Sequence, residues 1–222
     1  MHICDGFLNN SLAMGLLAGM SVVFSYCLKR VYKVATTVST ITSGSNKNIG
    51  ICTFEFFNGT NEYIQKLTII AMWIFALQMF NIHVQSKISA HLIGGVFAAV
   101  ILGPFAGFLV MSLVFIIQCI FFSDGGILAL GANIFNMAFI GSFISYYIYK
   151  AIVNKNYHLA IFISCLFSIL SAAFFCLVEL SVSGTVHFSA SFKNMMHLHL
   201  IVALLEAVIT LVLLRLLKFA CK

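Results

Sequence analysis

Long apolar runs of about 18 to 25 residues recur along the chain, with polar or charged breaks between them. Each run is long enough to cross a bilayer core of roughly 30 Å as a helix. The third and fourth runs are divided only by Gly103-Pro104, which predicts a tight turn. The predicted spans are about 11–28, 67–82, 91–104, 105–122, 126–149, 157–181 and 197–218. The pattern predicts an all-α membrane protein, a bundle of about seven transmembrane helices that forms one integral membrane domain over 1–222.

One long segment, 34–65, interrupts this pattern. It is rich in Ser, Thr, Asn and Gly and contains no sustained apolar run. Such composition is typical of a loop. We therefore predict a polar cytoplasmic loop between the first two spans, and we assign no chemistry to it.

The composition agrees with lipid as the solvent of this chain. Hydrophobic residues make up 62% of the sequence and charged residues only 8%, whereas soluble domains carry roughly a quarter charged residues. The seven cysteines are scattered and form no CxxC pair. This spacing favours free buried thiols over a disulfide framework or a zinc site.

The net charge of +6 arises from basic residues at the ends of the apolar runs. They form no basic stripe interleaved with aromatic residues, so a nucleic-acid partner is not expected. Lys and Arg concentrate at the cytoplasmic ends of spans, and ten of the twelve lie on one side of the predicted topology, with only Lys87 and Lys193 on the other. This bias predicts a multi-pass plasma-membrane protein with its amino terminus outside and its carboxy terminus in the cytoplasm.

The first two residues, Met1-His2, offer three nitrogen donors close together: the α-amine, the His2 amide and the His2 imidazole. Amine and amide close a five-membered chelate ring, and amide and imidazole close a six-membered one. All three donors then lie near one plane, which suits the tetragonal geometry that Ni²⁺ and Cu²⁺ favour. The alternative interpretation is an ordinary polar residue at a frayed chain end.

His91 opens the third predicted span at the outer membrane surface, where it could supply a fourth nitrogen; alternatively, it is an interfacial side chain. Asp124 follows the fourth span on the same side. Asn133 and Asn136 lie three residues apart on one helical face. Amides in lipid need partners, so we expect both to face the protein interior, either as support for a site or as interhelical hydrogen bonds.

Three stretches together resemble the CbiM/NikM family, the substrate-binding S components of energy-coupling-factor (ECF) transporters for cobalt and nickel. They are Met1-His2-Ile3…Asp5-Gly6-Phe7, His91-Leu92-Ile93-Gly94 through Ile101-Leu102-Gly103-Pro104, and Gln118…Asp124-Gly125-Gly126-Ile127-Leu128-Ala129-Leu130-Gly131-Ala132-Asn133…Asn136-Met137-Ala138. The resemblance covers nearly the whole chain except 34–65. It implies that the Met1 amine, the His2 amide and imidazole, and the His91 imidazole bind Ni²⁺ or Co²⁺, as transported cargo and not as a resident cofactor.

The resemblance also implies partner proteins: a transmembrane T component, two cytoplasmic ATPases and, in many such systems, a small auxiliary membrane subunit. The chain itself has no Gly-rich GxxxxGK[ST] loop. We therefore expect a transporter subunit and not an enzyme, with ATP hydrolysis in separate subunits. The donor set does not decide between nickel and cobalt.

The sequence departs from the family before His91, where it reads Ile82-His83-Val84-Gln85-Ser86-Lys87-Ile88-Ser89. This places His83 near the predicted site as an additional ligand candidate. The segment 34–65 also looks inserted relative to other members.

Three ionisable residues, Glu179, His199 and Glu206, lie within apolar spans, which makes them functional candidates because charged groups are costly in lipid. We interpret them as supporting or interhelical groups. In the rival hypothesis they line the pathway of a self-sufficient secondary transporter or channel for divalent metal.

Small residues on the first span, Gly15, Ala18 and Gly19, permit close approach of another helix. By resemblance to other S components, this face is a candidate docking surface for the T component. The alternative is packing within the bundle.

Overall fold

The computed structural model describes residues 2–42, 60–79, 81–85 and 88–220. Its helices are α1 Asn10–Thr42, α2 Thr60–Gln78, α3 Gly95–Leu102, α4 Pro104–Phe122, α5 Leu130–Asn133, a π-helical segment Ile134–Ile144, α6 Ser145–Ile152, α7 Tyr157–Val182 and α8 Phe188–Ala220. Because α5, the π-helical segment and α6 follow one another without a break, the described chain has seven helical segments, and the predicted helical bundle is confirmed. Helices α1, α4, α7 and α8 are each long and apolar enough to cross a membrane.

The predicted polar loop at 34–65 is too long. Helix α1 contains 33 residues and continues through Val34 to Thr42, and α2 begins at Thr60. At 1.5 Å per residue α1 is about 50 Å long, which exceeds a bilayer core of roughly 30 Å. Polar residues at the end of α1 therefore extend a helix instead of starting a loop. The centre of the predicted loop, 43–59, lies outside the described residues.

The predicted third span, 91–104, is wrong as a full-length helix. Only Gly95–Leu102 is helical, and its 8 residues reach about 12 Å. The glycines at both ends stop the helix, because Gly94 has φ 73° and Gly103 has φ 82°, values that side-chain-bearing residues rarely adopt. Pro104 then starts α4, at a position where its missing N–H costs nothing.

A two-stranded antiparallel hairpin precedes α3 and was not predicted. Strand β1 is Asn81–Gln85 and strand β2 is Ile88–His91. The paired residues are Asn81 with His91, Ile82 with Ala90, His83 with Ser89 and Gln85 with Ile88. The apolar-polar alternation from Ile82 to Gln85 is the period-two signal of a strand. His91 therefore ends a strand and does not open a helix.

Helix α3 lies at the centre of the molecule. Val96, Phe97 and Ala98 are at most 1% exposed. A side chain at Gly95 would place its Cβ 2.8 Å from the carbonyl carbon of Gly141 in the π-helical segment, so glycine permits the two backbones to touch. The core is thus built around a short helix that begins four residues after His91.

Helix α1 lies at the periphery, and its small-residue face is not used for packing within the described chain. Gly15, Ala18 and Gly19 are exposed, and a Cβ at either glycine would meet nothing within 4 Å. Among the described residues, therefore, none packs against these two glycines. Helix α1 instead contacts α5, where a Cβ at Gly131 would overlap the backbone of Leu17.

We predict that Gly131→Ala destabilises the fold by about 1–3 kcal/mol, because the added methyl forces α1 away from α5. The matched control is Gly19→Ala, a helical glycine with open space above it. The control should leave stability unchanged or raise it by up to about 1 kcal/mol through helix propensity. Thermal unfolding in detergent measures both. Equal stability of the two variants would contradict the close contact at Gly131.

Candidate metal centre

The fold brings His2 and His91 together, although they are far apart in the sequence. Their ring centroids are 4.7 Å apart, with an interplanar angle of 77°. The ring of Phe115, from α4, packs edge-on against His2 at 5.4 Å. Both imidazoles are therefore enclosed by the bundle, side by side and next to an apolar wall.

His91 presents a free nitrogen to this space. Its Nδ1 lies 2.9 Å from the carbonyl oxygen of Leu92, which can only accept, so Nδ1 carries the proton and donates. The other ring nitrogen, Nε2, then has an available lone pair. It is buried and has no hydrogen-bond partner within the described residues. This is the tautomer of a histidine that binds a metal through Nε2.

His2 is held beside an acidic group. Its side chain is only 5% exposed, and its Nδ1 lies 2.9 Å from Oδ1 of Asp124. The contact is close but poorly directed, so both His2 ring nitrogens lack a well-formed hydrogen bond within the described residues. The polar contact with His2 lowers the pKa of the Asp124 carboxyl below its ordinary value. A carboxylate therefore stands next to the paired imidazoles.

Asn133 fixes the chain that carries His2. Its Oδ1 accepts from the backbone N–H of Ile3 at 2.8 Å, and its Nδ2 donates to the carbonyl oxygen of Ile3 at 3.0 Å. The same carbonyl accepts from the N–H of Gly126 at 3.0 Å. The amide predicted to face the interior thus holds the backbone next to His2.

Asp5 is a second anchor, and it was not among the predicted site residues. Its carboxylate accepts backbone N–H groups from Ile127 at 3.0 Å, Leu128 at 2.8 Å and Ala129 at 3.2 Å. These donors precede α5, where the free N–H groups at a helix start attract an anion. The sequence did contain a signal for this anchor: an acidic residue three positions after His2 and a Gly-Gly pair before α5.

Side chains from three helices, α2, α4 and α8, hold the backbone after His91, either directly or through one another. The N–H groups of Ile93 and Gly94 donate to the two carboxylate oxygens of Glu206, at 2.6 and 3.1 Å. The carbonyl oxygen of Ile93 accepts from Nε2 of Gln78 at 2.7 Å, and Oε1 of Gln78 accepts from Nε2 of Gln118 at 2.9 Å. Gln78 was not predicted either, although a buried amide near the end of an apolar helix requires a partner.

Gln118 connects the surroundings of His2 with those of His91. Its backbone carbonyl accepts the N–H of Asp124 at 3.1 Å, and Asp124 contacts His2. A continuous series of polar contacts therefore connects Glu206, Ile93, Gln78, Gln118, Asp124 and His2.

The remaining predicted residues lie around this centre. Asn136 donates from Nδ2 to Oε2 of Glu179 at 2.7 Å, which links the π-helical segment to α7. His199 donates from Nδ1 to the carbonyl oxygen of Met195 at 2.8 Å and leaves Nε2 buried without a partner. No group of three His, Cys, Asp or Glu side chains is arranged to bind a metal in the described parts of the chain.

Two predicted residues cannot be placed in the same way. Met1 lies outside the described residues. The backbone of His83 pairs with Ser89 in the hairpin, but its side chain lies outside the described part of the structure. Their roles remain predictions.

Comparison with known proteins identifies a family and several relatives. The family model for CbiM, the cobalt uptake substrate-specific transmembrane region, matches residues 2–220. A cobalt transport protein CbiM from Clostridium tetani is 30% identical over 164 residues, which are 70% of this chain and 68% of that protein. A protein from Archaeoglobus fulgidus, provisionally named a fused nickel transport protein NikMN, is 42% identical over 152 residues, 66% of this chain. The aligned part of this chain spans about half of that relative, 52% of its length.

A solved structure has the same fold. The crystal structure of a truncated transition metal transporter superimposes with a TM-score of 0.80 at 30% sequence identity, covering 99% of each chain. The likeness is therefore one of the fold over nearly the whole chain.

We predict that Asn133→Asp loosens the segment that carries His2. The substitution replaces the Nδ2 donor with an oxygen that faces the Ile3 carbonyl, and a buried acceptor without its partner costs about 1–3 kcal/mol. Hydrogen-deuterium exchange of the peptide 2–8 should become faster. The control is Asn136→Ala, which removes a buried amide that contacts Glu179 instead of Ile3. Unchanged exchange in Asn133→Asp would show that this amide does not hold the segment.

Proposed function

Because the chain belongs to the CbiM family of cobalt uptake substrate-specific transmembrane regions, we propose that it captures Ni²⁺ or Co²⁺ at the extracytoplasmic face for import. The donors are the Met1 amine, the His2 amide, the His2 imidazole and the His91 Nε2. The observation that carries this proposal is the enclosed pair of imidazoles, 4.7 Å apart, with nitrogens that lack hydrogen-bond partners among the described residues.

The surroundings suit a divalent cation. Imidazole is a favoured ligand of nickel and of other late first-row metals, and a planar set of four nitrogens suits Ni²⁺. Asp124 stands beside His2 as a carboxylate and offsets part of the positive charge that enters the site. The apolar wall at Phe115 limits access of water, which would otherwise compete as a ligand.

The anchoring supports a preorganised site. His2 is fixed through Ile3 by Asn133, and His91 is fixed through Ile93 and Gly94 by Glu206. Metal ligands that are oriented before binding lose less conformational entropy when the ion arrives. This explains why few side-chain ligands suffice.

In the proposed mechanism the chain is the S component of an ATP-driven ECF importer. A transmembrane T component and two ATPase subunits supply the energy, and a small auxiliary membrane subunit is a further candidate partner. The exposed face of Gly15, Ala18 and Gly19 on α1 has open space for a helix of the T component. The charge bias of the sequence supports a metal site on the outer side.

The rival hypothesis is a self-sufficient secondary transporter that moves the ion past Glu179, His199 and Glu206. The hydrogen bonds favour the first proposal. Both oxygens of Glu206 are occupied by backbone N–H groups, and one oxygen of Glu179 is held by Asn136. The two glutamates therefore support different pieces of chain, which favours structural roles over a shared ion pathway.

We expect His2→Ala and His91→Ala each to weaken Ni²⁺ or Co²⁺ binding by more than about 100-fold. Each removes a donor, and even groups behind the ligands cost about 10–100-fold when they are lost. Calorimetric titration of the purified chain measures this. His83→Ala is the control and should bind almost as well as the unsubstituted chain. Tight binding after either of the first two changes would refute the ligand set.

The amino terminus gives a separate test that leaves every side chain in place. One residue added before Met1 converts the α-amine into an amide, a far poorer donor, so that high-affinity binding should be lost. The same residue added after Lys222 should have no effect. Metal content and ATP-dependent uptake with the partner subunits measure the difference. If the amino-terminally extended chain binds equally well, the α-amine is not a ligand.

A further inference from the structure

The buried carboxylate of Glu206 accepts hydrogen bonds from two consecutive peptide groups next to His91. Glu206 lies in α8 and is 2% exposed. One of its oxygens accepts the N–H of Ile93 at 2.6 Å, and the other accepts the N–H of Gly94 at 3.1 Å. These two N–H groups are the hydrogen-bond partners of the Glu206 carboxylate among the described residues.

The peptide that joins Leu92 to Ile93 is shared by Glu206 and His91. Its N–H donates to Glu206, and its carbonyl oxygen accepts from Nδ1 of His91 at 2.9 Å. A peptide group is planar and trans, so fixing the direction of the N–H also fixes the direction of the C=O. The carboxylate therefore determines where the oxygen that orients the imidazole points.

This arrangement matches a known way of tuning a metal ligand. Histidines that bind metals donate their other ring N–H to a carboxylate or a carbonyl, which fixes the tautomer and increases the basicity of the ligating nitrogen. Here the carbonyl belongs to a peptide that is itself polarised by a carboxylate, and hydrogen bonds in such a series strengthen one another. The charge of Glu206 is thereby transmitted to Nε2 of His91.

We propose that Glu206 is a positioning residue for the metal site: it orients and activates the His91 imidazole through the Leu92–Ile93 peptide. The inference rests on the proposed function, and it gives a role to a buried charge in α8 that does not itself touch the ion. Gln78 supports the same segment from the other side, because it donates to the carbonyl oxygen of Ile93.

Glu179 provides a matched comparison. It is also a buried glutamate in a long apolar helix, 6% exposed, but its described partner is the Asn136 side chain and not the backbone next to His91. If Glu206 acts only by stabilising the bundle, loss of either charge should have similar consequences. If it acts through His91, only Glu206 should affect the metal.

The test compares Glu206→Gln with Glu179→Gln in the full chain, with Ni²⁺ affinity and the Cu²⁺ electron paramagnetic resonance spectrum as readouts. The nitrogen hyperfine pattern of bound Cu²⁺ counts nitrogen ligands, a quantity that loss of stability alone does not change. For Glu206→Gln we expect affinity to fall by about 10–100-fold and the pattern to lose one nitrogen in part of the molecules, because His91 is no longer held in position in all of them. Glu179→Gln should behave as the unsubstituted chain, and Glu206→Asp, which keeps the carboxylate, should retain all the nitrogens with an intermediate affinity.

A double substitution sharpens the result. Because the effect is transmitted through His91, Glu206→Gln should add no further loss to the weak binding that remains in His91→Ala. An equal loss in both backgrounds, or an unchanged affinity and nitrogen count in Glu206→Gln, overturns the positioning role. If Glu206→Gln does not accumulate in the membrane, the metal affinity of Glu206→Asp is the deciding measurement. An affinity of Glu206→Asp equal to that of the unsubstituted chain then overturns the positioning role. Absence of binding by the unsubstituted chain overturns the metal site as well.

Discussion

Backbone that leaves regular secondary structure inside an apolar bundle must find a partner for each of its N–H and C=O groups, and the site is organised by this requirement. The chain between β2 and α3 is such a segment, and Ile93 at its centre is fully buried. Its polar groups cannot reach water. Glu206 and Gln78, from two different helices, satisfy them instead. The polar residues that interrupt the apolar helices are therefore needed for a non-helical segment to exist at this depth.

The same requirement explains the segment that carries His2. Residues 2–9 enter the bundle without forming a helix or a strand, and their backbone needs partners there. Asn133 supplies an acceptor and a donor to Ile3, and Asp5 binds the free N–H groups before α5. His2 thus lies on irregular backbone, and His91 ends a strand directly before an irregular segment. Both irregular segments are held by amides or carboxylates of other elements.

The sequence predicted the bundle because long apolar runs leave few alternatives to membrane helices. It also predicted that Asn133 and Asn136 face inward, since lipid offers amides no partner. It did not predict the short α3, because an apolar stretch of 91–104 has the composition of a span whether it is one helix or an irregular segment followed by a short helix. The hairpin was missed although the alternation from Ile82 to Gln85 was an available signal. The partner of Glu206 could not be predicted either, because it is backbone, and backbone groups have no signature in a sequence.

Both imidazoles lie outside the long helices, His2 on an irregular segment and His91 at the end of a strand, and this has a physical consequence for the proposed metal capture. The backbone of a histidine within a long helix is held by the hydrogen bonds of that helix. The positions of His2 and His91 depend instead on contacts with α4, α5 and α8. Asp124, at the end of α4, and Glu206, in α8, belong to one series of polar contacts through Gln78 and Gln118. A displacement of either helix would change the separation or orientation of the two rings. In the proposed metal site, affinity would therefore be linked to the packing of the helices, which is the property that a protein needs if it is to hold an ion in one arrangement and release it in another.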